Sequence, residues 1–417
     1  MIENKNRSKQ EDLSIQVAEE SREVDWKSKS FLASIFMGDF DMSMTTPFPE
    51  QDPEDKALGD ELLERIRVWA EEHLDGELID TRGEIPAHVF KGLNDLGLFG
   101  CKISKEYGGL GLSITNYGRV LGLVSGYCAS TGATLSAHQS IGVPQPLKLF
   151  GTEEQKRKYL PQFANGAISA FALTEPDVGS DPARMNTRAE RSEDGSHWTL
   201  NGEKLWCTNG GIADVIVVMA STPPKMRRGK EINQITAFIV ETHWAGVEIM
   251  HRCQFMGLRG VENVLIRFDN VKIPAENLIW EEGKGLRLAL TTLNDGRLGI
   301  PAVAAAGTKR LVEACTRWAK GRVQWGRAIG AHEAGSDKLA RMQSGTYAMA
   351  AISDFSSALA ERKDVDLRME AAAAKLFNSE RSWEVVDLAL EVGPFPDLLL
   401  RGRGHSPSWL LVPPTGV

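Results

Sequence analysis

The residues best suited to chemistry form one stretch, Phe171 to Asp181, which reads Phe-Ala-Leu-Thr-Glu-Pro-Asp-Val-Gly-Ser-Asp. Thr174 and Ser180 supply hydroxyl groups, and the Pro-Asp and Gly-Ser pairs favour turns. Backbone N–H groups left unpaired in a turn bind acceptor atoms well, so the stretch suits a phosphate, a pyrophosphate or the polar edge of a heterocycle. A Gly-Ser-Asp turn by itself is also typical of a plain surface loop.

A second stretch, from Trp198 to Gly211, follows closely and is rich in β-forming residues. It contains Asn201-Gly202 between two short β-type runs, a pattern that predicts a hairpin turn at this dipeptide. The later run carries Trp206, Cys207 and Thr208. The two stretches in this order are a much more specific pattern than either one alone.

The cysteines and histidines show no metal-binding arrangement. Five dispersed cysteines without CxxC spacing fit buried thiols in a reducing compartment better than disulfides or zinc, and the eight histidines form no cluster. The net charge is −8, with both signs spread along the chain and no basic stripe. We therefore expect neither a metal site nor a nucleic acid partner.

Targeting signals are also missing from the sequence pattern. No apolar run approaches the roughly 20 residues that a membrane helix needs, so we expect no transmembrane segment. The stretch from Met1 to Glu20 mixes basic and acidic residues without an apolar centre, which argues against a secretory signal and against a transit peptide. The expected location is the cytoplasm.

The first half of the chain is predicted to be mostly helical. Residues 1–54 are polar and proline-rich, which indicates a flexible segment with one apolar docking patch near Trp26–Phe36. Residues 55–168 place apolar side chains at helical spacing, and Thr152 with Gln155 predicts a capping box.

The second half is predicted to change from strands to helices. Short β-rich runs fill residues 169–280, where the polar Pro223–Asn233 is expected to be an exposed loop. Four helical segments follow within residues 281–392, and the proline density of residues 393–417 excludes a helix there. The order indicates an α+β fold with an N-terminal helical domain, a central antiparallel β-barrel or sheet, and a C-terminal helical bundle.

The stretches at 171–181 and 198–211 closely resemble the flavin-binding signature of the acyl-CoA dehydrogenase family. The resemblance covers roughly residues 25–392 and is nearest to the very-long-chain branch, including Lys27–Phe31 and Ala137–Gly142. It implies an FAD-dependent oxidoreductase of fatty acid β-oxidation that removes a proton from Cα and a hydride from Cβ of a long-chain acyl-CoA. It also implies electron transfer to an electron-transfer flavoprotein, and a homodimer.

The resemblance also assigns site residues. Those that would bind the cofactor are Phe171, Ala172, Leu173, Thr174, Gly179, Ser180, Trp206, Cys207, Thr208 and Arg322. Ser180 would touch the acyl-CoA as well, beside Asn294, Asp295, Gly296 and Arg297. Plainer interpretations stand beside these: a core aromatic for Trp206, a helix interruption for Asn294–Gly296 and a surface arginine for Arg322.

Arg322 begins a sequence, Arg-Val-Gln-Trp-Gly, that is similar to the family's Arg-x-Gln-Phe-Gly. In that motif the arginine reaches the flavin pyrophosphate across a dimer interface, a bidentate role that suits a guanidinium. Two positions depart from the family. Val323 replaces a hydroxyl residue, which weakens the phosphate contact, and Trp325 replaces phenylalanine.

The largest departure follows Val392. The branch carries its catalytic glutamate in a Glu-Gly-Thr motif after a Gly-Gly-x-Gly turn, whereas here Gly-Pro-Phe-Pro follows. Some relatives place the base near position 296, which is Gly296 here. Asp295 is adjacent, but one helical residue turns a side chain by about 100°, so it is a weak surrogate. Glu391 stands where relatives usually have a flavin-contacting glutamine.

These departures lead to a hypothesis of weak or absent dehydrogenation on an intact catalytic fold, caused by a truncated or frameshifted C-terminus. Two alternatives remain open. One is an acyl-CoA oxidase or nitroalkane-type relative, and the other is a non-catalytic homologue that binds flavin or acyl-CoA. A purely structural role is least favoured because the flavin signature is intact.

Overall fold

The computed structural model describes residue 15 and residues 29–227, 230–362 and 364–393. Helices precede the sheet and follow it, as predicted. The first group is α1 (Phe31–Met37), α2 (Pro53–His73), α3 (Gly76–Arg82), α4 (Ala87–Asp95), α5 (Ile114–Tyr127), α6 (Ala129–Ser136), α7 (Pro144–Phe150) and α8 (Glu153–Ala164). A π-helix at Ala137–Ile141 joins α6 to α7.

Local sequence explains where these helices begin and what they bury. The predicted capping box is present at the start of α8, where Thr152 Oγ1 accepts from the Gln155 N–H and Gln155 Oε1 accepts from the Thr152 N–H. In α2, Leu62 and Ile66 lie one helical turn apart and are buried in a cluster shared with Val120 and Leu121 of α5. The N-terminal helical domain therefore has its own core.

The middle of the chain forms one eight-stranded sheet. Its strands are β1 (Ser169–Ala172), β2 (Arg188–Arg191), β3 (His197–Thr208), β4 (Val215–Arg227), β5 (Lys230–Glu241), β6 (Val247–Arg252), β7 (Asn263–Pro274) and β8 (Leu278–Ile279). Their order is β6-β7-β3-β2-β4-β5-β8, and β1 pairs with β4. The predicted antiparallel pairing holds for most neighbours, but β1 and β2 both pair with β4 in parallel.

Two local predictions in the sheet are wrong. Asn201-Gly202 makes no hairpin, because β3 continues through it with a register shift against β7 between Leu200 and Gly202. The hairpin lies earlier, at Ser192–Ser196 between β2 and β3. Pro223–Asn233 is no loop in its described part, since β4 and β5 stay paired there as a ribbon with an irregularity after Thr222.

The last helices are α9 (Gly285–Gly296), α10 (Gly299–Gly321), α11 (Glu333–Glu361) and α12 (Arg368–Val392), which fit the four predicted segments. A two-stranded hairpin of β9 (Val323–Gln324) and β10 (Arg327–Ala328) separates α10 from α11. Buried side chains such as Leu311, Met342 and Val385 form the bundle core. The α–β–α architecture predicted from the sequence is confirmed.

The described part of the N-terminal segment is ordered by contacts with the bundle. Glu370 of α12 accepts hydrogen bonds from the Ser30 hydroxyl at 2.7 Å and the Leu32 N–H at 3.0 Å. Phe31 packs edge-on against Phe355 of α11. The sequence predicts a docking patch here but not helix α1, and residues 394–417 lie outside the described residues. No helix in the described ranges is long and apolar enough to cross a membrane.

Candidate active site

The 171–181 stretch leaves the sheet at the end of β1 and closes into a tight turn. Glu175 N–H donates to the Val178 carbonyl at 2.9 Å, and Val178 N–H donates back to Glu175 at 3.2 Å. Phe171 and Val178 are buried in the core. The turn is therefore anchored by apolar side chains while Asp177, Gly179 and Ser180 remain exposed.

Strand β3 holds Trp206 next to this turn. Its pairing with β7 is irregular between Lys204 and Cys207, and the free Leu205 N–H donates instead to the Thr174 carbonyl at 2.9 Å. Trp206 lies inside the bulge with a left-handed φ of 58°. Its side chain is 52% exposed, although tryptophan is normally well buried. A bulge of this kind re-aims a side chain out of the sheet.

Residues 206–208 face alternate sides of the strand. The Trp206 ring stacks on Phe255 with centroids 5.7 Å apart, and Thr208 Oγ1 accepts from Asn263 Nδ2 at 2.9 Å. Cys207 points into the core, where its Sγ donates to the Phe171 carbonyl at 3.8 Å and burial raises its pKa to about 12. The role predicted for Cys207 is therefore restricted to its backbone, because its thiol does not reach the Trp206 face.

The chemistry of the turn fits the polar edge of a planar heterocycle. Thr174 Oγ1 and Ser180 Oγ have no hydrogen-bond partner among the residues that the structure describes. Gly179 has no left-handed φ, and a Cβ placed there would meet no atom within 4 Å. The turn thus offers unused donors and an open cradle beside an aromatic surface.

Helix α9 brings the predicted substrate segment to the same region. Leu286 and Leu288, near its start, share a buried cluster with Phe171 and Val178 of the turn. At its end, Gly296 faces the π-helix, because a Cβ at that position would lie 3.0 Å from Ile141 Cγ2. One helix therefore links the turn to the position of Gly296.

Other polar groups near the end of α9 are engaged with one another. Asn294 Oδ1 accepts from Arg297 Nη1 at 2.6 Å. Ser140 of the π-helix hydrogen-bonds the buried Tyr117 hydroxyl at 2.8 Å. π-helical turns are frequent at functional sites.

The predicted Arg322, and Glu391 at the position of the family's glutamine, lie away from the 173–180 turn and Trp206. Arg322 ends α10 with its guanidinium 5.5 Å from the Trp318 ring, and within the described ranges it has no hydrogen bond or salt bridge to the turn or to β3. Glu391 of α12 forms a salt bridge with Lys338 of α11. A single chain does not bring either side chain to the turn.

The sequence reasoning missed a buried ion pair inside its own motifs. Lys204 Nζ lies 2.9 Å from Glu175 Oε1, and the side chains are 0% and 3% exposed. A signal was available, since Lys204 has the same strand parity as the buried Trp198 and Leu200. A lysine at an inward position indicates an acidic partner.

Burial and the attraction between the two charges shift the pKa values of this pair in opposite directions. Burial lowers the pKa of Lys204 to about 8, although the neighbouring Glu175 carboxylate raises it. Burial alone would raise the pKa of Glu175, but the Lys204 ammonium and the Asn186 N–H bring it below its usual value. Both side chains are therefore charged at neutral pH.

Comparison with known proteins places this geometry in one family. Models of the N-terminal, middle and C-terminal domains of acyl-CoA dehydrogenases match residues 59–167, 170–271 and 283–393. The probable acyl-CoA dehydrogenase FadE10 of Mycobacterium tuberculosis is 46% identical over 376 residues, which cover 90% of this chain and 57% of FadE10.

Two further comparisons agree. The mitochondrial very long-chain specific acyl-CoA dehydrogenase of Macaca fascicularis is 37% identical over 373 residues, 88% of this chain and 56% of that protein. The crystal structure of an acyl-CoA dehydrogenase complexed with FAD from Bacillus anthracis superposes with a TM-score of 0.72 at 29% identity, covering 87% of this chain and 64% of that chain. The chain thus spans little more than half the length of the curated relatives it matches. It belongs to the acyl-CoA dehydrogenase family.

Proposed function

We propose that this chain binds FAD between the 173–180 turn and Trp206, and that it acts on the α,β-bond of a long-chain acyl-CoA. The observation that carries the proposal is the Leu205–Thr174 hydrogen bond, which joins the turn and the tryptophan strand at 2.9 Å. It holds the turn, with its unpaired Thr174 hydroxyl, next to the exposed Trp206 ring.

Each group would act on the flavin in its own way. Backbone N–H groups of the turn and the Thr174 hydroxyl would bond the polar edge of the ring and favour the reduced, negatively charged state. Trp206 would cover one face of the ring and limit its contact with water. When bound, FAD supplies the hydride acceptor for the acyl Cβ.

The finer assignments follow from the family. Ser180 and Asn294–Arg297 would contact the acyl-CoA, and the similarity to very-long-chain relatives supports a long acyl group. Arg322 would reach the flavin pyrophosphate of a partner subunit in a homodimer, since it lies away from the turn of its own chain. Electron-transfer flavoprotein would accept the electrons, in cytoplasmic fatty acid β-oxidation.

Removal of the α-proton is the step that the described residues support least. Position 296, where some relatives carry the base, is a glycine, and the family match ends at residue 393. A general base typically contributes about 10²–10⁴-fold. We therefore propose that the chain of this sequence binds flavin and acyl-CoA but dehydrogenates slowly.

The absorption spectrum of the purified protein tests the cofactor. We expect flavin bands that persist through gel filtration, and protein free of them after addition of FAD would contradict the proposal. Anaerobic mixing with palmitoyl-CoA and an artificial electron acceptor then tests the reaction. Slow bleaching is expected, whereas rapid bleaching would show that a base is present.

Gly296 also supports a second candidate, a homologue that binds flavin or acyl-CoA without reducing the flavin. A spectral shift on addition of palmitoyl-CoA without any bleaching would indicate this binding protein. Rapid reaction of reduced flavin with oxygen would instead indicate an acyl-CoA oxidase-like protein.

Replacing Trp206 by alanine is expected to weaken FAD binding about fivefold, because stacking between aromatic groups contributes about 1 kcal/mol. Titration of apoprotein with FAD, followed by flavin fluorescence, measures the change.

Trp280 offers a matched control. It also has a left-handed φ, of 67°, and stacks on a phenylalanine, Phe150, but outside this site. Trp280→Ala should lower thermal stability without changing FAD affinity. Equal loss of affinity in both variants would contradict the assignment of Trp206.

A further inference from the structure

The buried Glu175–Lys204 pair connects the two parts of the proposed flavin site, the 173–180 turn and the strand that carries Trp206. Besides its contact with Glu175, Lys204 Nζ donates to the Leu173 carbonyl at 2.9 Å. Among the salt bridges between described residues, this is the one in which both side chains are almost fully inaccessible. The lysine therefore holds the entry of the turn as well as its acidic residue.

Glu175 extends the connection to the far end of the same loop. Its carboxylate accepts the Asn186 N–H at 2.6 Å and the Thr187 N–H at 2.9 Å. Asn186 and Thr187 lie just before β2. The Glu175 carboxylate therefore holds the end of the 176–187 loop close to its beginning. Backbone donors and an ammonium group together satisfy the buried charge.

Consecutive residues of strand β3 hold the start of the 173–180 turn. Lys204 binds the Leu173 carbonyl, Leu205 binds the Thr174 carbonyl, and Trp206 then turns outward with its left-handed φ. The spacing between the turn and the tryptophan ring is thus set by a short run of backbone whose first side chain is the buried lysine.

The attraction between the two charges does not by itself account for a buried ion pair here. Desolvation of two charges roughly cancels their attraction, and well-packed apolar replacements are often neutral or stabilising. Such a replacement would leave the Leu173 carbonyl and the Asn186 and Thr187 N–H groups without partners. The pair is thus suited to ordering backbone, and the backbone it orders is the flavin turn.

We propose that Lys204 and Glu175 are positioning residues, whose ion pair holds the 173–180 turn at the distance from Trp206 that FAD requires. The inference rests on the proposed function, because it assigns how this chain prepares that site. Neither residue touches the flavin in the proposal.

The test compares FAD dissociation constants of the full chain and its variants. Lys204→Met and Glu175→Gln are expected to bind FAD about tenfold or more weakly, as expected for loss of a hydrogen bond to a charged group. The double variant, which leaves no unpaired charge, should be thermally more stable than either single variant but should not regain FAD affinity. A double variant that binds FAD like the unchanged protein would overturn the proposal.

The same strand provides a matched control. Glu203 pairs with Arg267 at 2.8 Å on the other face of β3, with both side chains partly exposed. Glu203→Gln combined with Arg267→Met should leave FAD affinity within about twofold, since exposed pairs contribute little. If this control also loses tenfold, the effect is a general one of the strand and the proposal is wrong.

The pH dependence of the unchanged protein gives a readout that needs no variant. The pKa of Lys204 is about 8, so the ammonium is lost between pH 7 and 9, while Cys207 beside it stays neutral and Glu175 stays ionised. FAD affinity should fall at least about threefold over this range, as one charge of the pair disappears. An affinity that rises with pH over this range would contradict the inference.

Failure of the proposed function has a different signature. Unchanged protein that binds no FAD at any pH would remove both the function and this inference. Normal FAD binding that is insensitive to both residues would remove the inference alone.

Discussion

Replacing Gly296 by glutamate is expected to raise the rate of flavin reduction by palmitoyl-CoA about 10²–10⁴-fold, the usual contribution of a general base. We expect this gain because of where Gly296 lies. Some relatives carry their base at this point of the sequence, and here α9 presents a glycine that faces the π-helix. The substitution would therefore add a carboxylate at the position where some relatives carry their base.

The structure indicates that a side chain fits at this position. Gly296 lies at the end of an α-helix without a left-handed φ, so the backbone accepts any L-residue. A Cβ would lie 3.0 Å from Ile141 Cγ2 and 3.6 Å from Ser140 Cβ. Ile141 is β-branched and stiff, so it must shift by a few tenths of an ångström to admit the new side chain.

Anaerobic stopped-flow mixing with palmitoyl-CoA measures the effect. Gly296→Gln is the matched control, because glutamine has the same size and cannot accept the proton, so it should remain as slow as the unchanged protein. Asp295→Asn reports whether the neighbouring carboxylate supplies a residual rate. Equal rates in the glutamate and glutamine variants would contradict the prediction, and rapid reduction by the unchanged protein would show that its base lies elsewhere.

Acid is expected to destabilise the protein through His138, by up to about 3 kcal/mol between pH 6.5 and pH 4. Burial lowers the pKa of this histidine to about 4, against an ordinary value of 6.5. Its ring lies between Phe99 and Phe163, and its Nδ1 accepts hydrogen bonds from the Ser169 N–H at 3.0 Å and hydroxyl at 2.8 Å.

The sign follows from which state binds the proton. Below pH 6.5 His138 is protonated in the unfolded chain but stays neutral in the folded protein. The free energy of unfolding therefore decreases as the pH falls. The loss stops near pH 4, where the folded protein also binds the proton. Above pH 6.5 the contribution is complete and independent of pH.

Urea unfolding at several pH values between 7 and 4 measures this loss. His138→Gln removes the titrating group but keeps a polar side chain, so its free energy of unfolding should fall less steeply across the same window. The difference between the two slopes separates the contribution of His138 to the pH dependence from that of the surface carboxylates. Identical slopes would contradict the prediction. Because Ser169 begins β1, the histidine also ties the N-terminal helical domain to the strand that leads into the 173–180 turn.

Local sequence determined the elements of this protein and their order. Apolar residues at helical spacing, the capping box at Thr152 and the β-rich runs after residue 169 act within a few residues of chain. Such patterns can be recognised without knowing their neighbours. The order α–β–α followed from them, and the flavin signature located the turn and Trp206.

Only the tertiary structure decided how those stretches meet. Asn201-Gly202 lies within β3 at a register shift instead of in a hairpin, because β2 and β7 pair along both sides of β3. Pairing between strands distant in sequence outweighed the local turn preference.

The Glu175–Lys204 pair likewise depends on contacts between segments that are distant in sequence. The two residues are 29 positions apart, and although the strand parity of Lys204 indicates burial, nothing in the sequence identifies Glu175 as its partner. Their burial depends on β3 passing beneath the turn that follows β1. A buried charge becomes favourable only when its partner and backbone donors arrive together, and the folded chain alone supplies that arrangement.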